Sequence, residues 1–138
     1  MPNRIAVAAA IAVLSLGACT SRPPTQLSST ASVTVNSVTK DLHVVKCSQM
    51  DWTRTLDIGS NFAGAKVIID EHAQQPIAES VHIQNLGGFT GMYSRGGDAN
   101  ADTSMNDDKF TITGTANGYK VDKPNEPASA TFKITVRC

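Results

Sequence analysis

Lys109-Phe110-Thr111-Ile112-Thr113-Gly114-Thr115-Ala116 and, further on, Ala130-Thr131-Phe132-Lys133-Ile134-Thr135-Val136 decide the fold class. Large apolar side chains fall at every second position: Phe110 and Ile112 in the first stretch, Phe132, Ile134 and Val136 in the second. Side chains alternate faces along an extended strand, so this spacing turns one face to a core and the other to water. Upstream, Asp98 to Met105 alternates polar Asp98, Asn100, Asp102 and Ser104 against Ala99, Ala101, Thr103 and Met105, and Asn106-Asp107-Asp108 supplies a turn. Strand, turn and strand in that order predict a hairpin.

The same pattern recurs toward the amino terminus. Ser80 to Gln84 places Val81 and Ile83 on one face, and a Gly87-Gly88 turn leads into Phe89 to Arg95. Lys66 to Asp70 is a short β-branched strand, closed by a polar turn at Gln74-Gln75-Pro76. Trp52 to Ile58 alternates imperfectly and ends at Gly59-Ser60-Asn61. Val33-Thr34-Val35 and Leu42 to Cys47 read as the first strands, joined through Thr39-Lys40-Asp41. No amphipathic helical period or internal repeat is present, and only Asp70 to Gln84 leaves room for a helical turn. Short strands with frequent turns predict an all-β domain, either an antiparallel β-sandwich or a strongly curved sheet.

Ahead of that domain the composition changes twice. Arg4 precedes an apolar run of about twelve residues, Ile5 to Leu16, followed by Leu16-Gly17-Ala18-Cys19. The run is shorter than the roughly 20 residues of a membrane-spanning helix. It reads as a lipoprotein signal peptide over residues 1–18, ending in a lipobox with Cys19 as the first mature residue and the lipidation site. Two or three acyl chains there give stable anchoring, which one chain does not. Residues 19–32 are rich in Ser, Thr and Pro and read as a lipidated flexible stalk. Residues 33–138 are the β domain. The expected location is the cell membrane, lipid-anchored, with the domain on the outer side.

Cysteine usage then simplifies. With Cys19 taken by lipid, Cys47 and Cys138 remain as an even pair in an exported chain, and a disulfide between them is expected. A metal-binding or reactive role needs His or Cys at ligand spacing, which the sequence does not offer.

The run Ile112 to Ala116, then Asn117-Gly118, a Pro-containing loop at Lys123 to Pro127, and Phe132-x-Ile134-x-Val136-x-Cys138 together resemble the mycobacterial LpqH-type lipoprotein antigen family. Val44-Val45-Lys46-Cys47 matches that family's first structural cysteine, and the resemblance covers essentially the whole mature domain. It implies an acylated, surface-exposed envelope protein, detected through its lipid by host innate receptors of the Toll-like type. Family members are also described as adhesin-like and glycosylated on a Thr-rich stalk; here that stretch is shorter, with Thr20, Thr25 and Thr30 scattered. Only Cys19, Cys47 and Cys138 carry over by position.

No chemistry of another kind is expected from the sequence. Asp98-x-Asn100-x-Asp102-x-Ser104-x-Asn106 imitates half of a calcium loop, but position six is Thr103 rather than Gly and position twelve is Lys109 rather than Glu. It reads as the polar face of a strand. Gly87-Gly88 and Gly96-Gly97 lack the Lys and the helix of a phosphate-binding loop. His43, His72 and His82 are not spaced as metal ligands, no G-x-S-x-G elbow occurs, and Asp70-Glu71-His72 reads as a charged turn. No catalytic residue, metal or cofactor is therefore assigned, and the protein is not expected to be an enzyme. Twelve basic against twelve acidic side chains, with no basic block, argue against nucleic acid. The alternative role is a lipid or small-ligand carrier, with Trp52, Phe62, Phe89, Tyr93, Phe110, Tyr119 and Phe132 lining an apolar pocket in the sandwich.

Overall fold

The computed structural model describes residues 30–138. They form ten strands: β1 Ala31–Val35, β2 Val38–Leu42, β3 Val45–Met50, β4 Thr53–Gly59, β5 Gly64–Asp70, β6 Ile77–Leu86, β7 Phe89–Ser94, β8 Ala101–Asn106, β9 Lys109–Lys120 and β10 Lys123–Arg137. No helix occurs among the described residues, and the space left for a helical turn between Asp70 and Gln84 holds a bend and the start of β6. The signal peptide and Cys19 lie outside the described residues, as does most of the stretch read as a stalk. Strand β1 begins at Ala31, two residues ahead of the expected domain start. The Ser/Thr-rich surroundings hide the fact that Ala31 is buried in register with Val136.

Every pairing is antiparallel, and the strands follow one path, β2-β1-β10-β9-β7-β6-β5-β4-β3, with β8 added on β9. The curvature comes from β9. Its first half, Lys109 to Gly114, pairs with β8, and Asn117 to Lys120 pairs with β7. Its other edge stays on β10 throughout. At the exchange Gly91 lies opposite Gly118. A Cβ on Gly118 would run into the Thr90 carbonyl oxygen, and one on Gly91 into the Phe89 ring. Only glycine lets the two backbones approach this closely.

The sheet thus folds into two limbs, β2-β1-β10-β9 with β8, and β7-β6-β5-β4-β3. The first limb buries Val33, Val35, Phe110, Ile112, Phe132, Ile134 and Val136, and the second buries Leu56, Val67, Ile69, Val81, Ile83 and Phe89. These side chains form one continuous cluster. Each fully buried Val, Ile, Leu or Phe is worth about 1.5–3 kcal/mol relative to exposure. The alternation read at Phe110 and Ile112, at Phe132 to Val136 and at Val81 and Ile83 points inward as expected. The fold is the strongly curved sheet of the expectation, its limbs packed face to face as in a sandwich.

Three details differ from the sequence reading. Asn36 and Ser37, at φ 46° and 71°, make the two-residue turn between β1 and β2, so Thr39-Lys40-Asp41 lies within a strand. A turn with two positive φ values matches the twist of the flanking strands, but Asn-Ser lacks the glycine that usually announces it. The expected strand Leu42 to Cys47 is broken at His43-Val44, where the chain passes from the first limb to the second. Lys123 to Pro127 is the irregular start of β10 rather than a loop. There β10 pairs only with β9, because β1 joins it from Phe132 onward, so prolines face a free edge and remove no second ladder.

Candidate functional site

Cys47 of β3 and Cys138, just beyond β10, are disulfide-bonded, with Cα atoms 6.0 Å apart and a sequence separation of 91. The bond returns the last strand of the path to the first limb. Arg54 of β4 does the same without a covalent link: its guanidinium carbon lies 5.1 Å from the centre of the Phe110 ring on β9. Glu71 accepts from Arg54 Nε at 2.7 Å, and Gln49 accepts from Arg54 Nη2 at 2.7 Å. The Arg54–Glu71 pair is largely shielded from water, which strengthens it relative to an exposed pair.

The three histidines stand apart. His72 sets its ring edge-on to Trp52, centroids 5.5 Å apart, and its backbone N–H donates to Asp70 Oδ1 at 2.8 Å. Trp52 sits in the β3–β4 turn rather than on an alternating strand, and its side chain is 59% exposed. His43 lies beside Thr30, where the chain enters the domain. His82 is on the outer face of β6. The Asp98-to-Asn106 stretch runs as the approach to β8 and β8 itself, with Asp102 and Ser104 outward, so its oxygens spread along a strand instead of converging. Among the described residues no group of three or more His, Cys, Asp or Glu could hold a metal ion. Arg95 donates to Glu79 at 2.7 Å, and that hydrogen bond, with the Glu79 charge, raises the arginine's already high pKa.

The aromatic side chains divide in two. Phe89, Tyr93, Phe110 and Phe132 belong to the packed core, while Trp52, Phe62 and Tyr119 are exposed.

One feature of the outer face has no counterpart in the sequence reading. A single rung crosses the second limb: Lys46 opposite Asp57, Asp57 opposite Lys66, Lys66 opposite His82, and His82 opposite Met92. Lys66 Nζ is 4.0 Å from Asp57 Oδ1, a loose and exposed pair. With Val44 and the β4–β5 loop, Lys46, Asp57, Lys66 and His82 line an open groove of about 490 Å³. A second depression, about 370 Å³, surrounds Thr30 and includes His43, Lys109 and Arg137. The rung was invisible in sequence because it needs the register of five strands; the only signal was a polar residue at an alternate position in the first four.

A disulfide-closed β domain following an amino-terminal stretch that reads as a lipoprotein signal fits one class, the small exported lipoproteins. Residues 24–138 match a family described as the Mycobacterium 19 kDa lipoprotein antigen. The chain belongs to that family. It is 62% identical over 139 residues to a lipoprotein of Mycobacterium indicus pranii, covering the whole of both chains. It is 29% identical over 141 residues to the lipoprotein LppE of Mycobacterium tuberculosis, again over both full lengths. With the lipoprotein LpqH of Mycobacterium avium it shares 32% identity over 95 residues, which are 68% of this chain and 58% of that one. Membership in a lipoprotein family implies a membrane-associated place in the cell envelope.

Proposed function

We propose that the protein is held in the cell membrane by acyl chains on Cys19 and displays its β domain on the outer side as a surface antigen and interaction module, without catalysis. The observation that carries this reading is Leu16-Gly17-Ala18-Cys19 at the end of a short apolar run, in a chain whose family is one of lipoproteins. The acyl chains are the stable part of the attachment, and the acylated amino terminus is the feature that host innate receptors would detect. The continuous packed cluster between the limbs supports a display domain over a ligand carrier, since of the aromatic side chains that would line a pocket Phe89, Tyr93, Phe110 and Phe132 fill the core and Trp52, Phe62 and Tyr119 lie outside it.

Cys19→Ala tests it. The variant is expected in the aqueous phase of a detergent partition and out of the membrane pellet, and its amino-terminal peptide loses the mass of the acyl groups. Retention of Cys19→Ala in the membrane pellet after a high-salt wash, which strips electrostatic attachment, would overturn the reading.

A further inference from the structure

We propose that the groove over Lys46 and Lys66, with Val44 and Phe62 at its margin, is the face by which the domain lies down on anionic lipid headgroups. The proposal rests on the reading that Cys19 carries the anchor, because that decides which end of the domain is near the bilayer.

The position of the groove follows from the path of the chain. Thr30 enters beside His43, and the next residue, Val44, already lines the groove. The Val44 carbonyl accepts from the Gly59 N–H at 2.8 Å, which ties that crossing to the β4–β5 loop. Cys19 stands about eleven residues before Thr30, a stretch that reaches at most about 40 Å. The groove over Val44 and the β4–β5 loop therefore opens beside the point where the chain from Cys19 enters the domain.

That region of the domain presents apolar groups to solvent. Phe62 is 86% exposed, more than any other large hydrophobic side chain described, and Val44 is 69% exposed. Phe62 is held out by a built loop: the Phe62 and Ala63 N–H groups donate to Ser60 Oγ at 3.3 and 3.2 Å, and the Ser60 N–H donates to the Ala63 carbonyl at 3.0 Å. An aromatic side chain fixed in solvent gains by burying itself at the boundary between headgroups and acyl chains. Lys46 and Lys66 line the groove together with Ser60, Asn61 and Gly64 of that loop, with Asp57 as the one acid, although the described residues as a whole carry more acidic than basic side chains. Their long stems can lie along the apolar margin with the ammonium groups at phosphate level.

The rival apolar patch decides the choice of surface. Met50 and Trp52 are also exposed, at 78% and 59%, but they sit at the opposite end of β3 and β4. Asp51 and Glu71 stand beside them, so an anionic surface is disfavoured there.

The test uses the chain from residue 19 with Cys19→Ala, which cannot be acylated; the whole core and the disulfide lie within Ala31–Cys138. Co-sedimentation with phosphatidylglycerol vesicles is compared with phosphatidylcholine vesicles at low salt. Two lysines less one aspartate at a charged surface predict roughly fivefold stronger partition to phosphatidylglycerol, weakening as salt rises. Phe62→Ser and the Lys46→Glu, Lys66→Glu double variant should each lower that partition severalfold, while Trp52→Ser leaves it unchanged. Equal partition to both lipids, or loss with Trp52→Ser and not with Phe62→Ser, overturns the docking face. Either failure leaves the acylation of Cys19 standing, since the detergent partition of the Cys19→Ala variant reads that separately.

Discussion

Cys47 and Cys138 join the far edge strand of the second limb to the last residue of the first, across 91 residues of chain. Closing a loop of that length removes much of the freedom of the unfolded chain, and the chain-entropy argument assigns about 4–5 kcal/mol to it. The bond also fixes the end of β10, where Arg137 still pairs with Lys109 and its N–H donates to the Thr30 carbonyl, while the Cys138 N–H reaches the Asp108 carbonyl of the β8–β9 turn at 3.1 Å. The double variant Cys47→Ala, Cys138→Ala is expected to lose about 4 kcal/mol in denaturant unfolding. A midpoint within experimental error of the parent would show that the loop is already constrained without the bond.

The seam between β7 and β9 sets a different demand. Gly118 faces Gly91 in register, and its missing side chain is what allows the backbones to meet. Gly118→Ala forces a Cβ into the Thr90 carbonyl and should cost about 2–3 kcal/mol, in the range of an overpacked core. Gly88→Ala is the comparison: φ is +71° there but the space is open, so only the left-handed conformation is penalised, by about 1–2 kcal/mol. Thermal unfolding of the two variants should separate them. Equal losses would mean that β9 can shift away from β7 at little cost.

These two features mark where the sequence could be read and where it could not. The inward sets at Phe110 and Ile112 and at Phe132, Ile134 and Val136 were legible because a half-buried strand repeats every two residues. Gly87-Gly88 was legible as a turn because glycine pairs are specific for one. The partner exchange along β9 was not, since neither Gly114 nor Gly118 tells which strand lies beside it when the neighbouring strands are unknown. The prolines of β10 pointed to a loop because proline excludes only a paired interior, and which edge is free is a property of the sheet. At the candidate site the cysteines were legible by parity and compartment. The Lys46-Asp57-Lys66-His82 rung was not, because each member is one ordinary polar residue until the register lines them up.

The β1–β2 turn offers a stabilising change. Ser37 adopts φ 71°, a region that costs an L side chain about 1–2 kcal/mol, whereas glycine visits it freely. Asn36 must stay, because its Oδ1 accepts from the Thr131 N–H at 3.1 Å and its own N–H donates to the Thr131 carbonyl at 3.0 Å. Ser37→Gly creates the Asn-Gly pair that such turns prefer. Part of the gain is offset by glycine's extra freedom in the unfolded chain, leaving about 0.5–1 kcal/mol. A rise of several degrees in the melting temperature is the expected result. A fall would mean that the Ser37 side chain contributes more than its backbone costs.

Thr103 tests the reading of β8 as a strand with an inner and an outer face. It sits opposite Ile112, and its Oγ1 is buried without a hydrogen-bond partner, while the flanking Asp102 and Ser104 face water. A buried hydroxyl that has given up water without replacement costs about 1–3 kcal/mol. Thr103→Val keeps the branched shape and removes the polar atom, so it should stabilise the domain by about 1 kcal/mol in denaturant unfolding. Thr103→Ser keeps the polar atom and removes the methyl, so it should destabilise by a similar amount. The two variants moving in opposite directions is the signature of an inward-facing position. Were the oxygens of Asp98 to Asn106 gathered into a loop instead, Thr103 would stand outside the core and both substitutions would leave stability within about 0.5 kcal/mol of the parent.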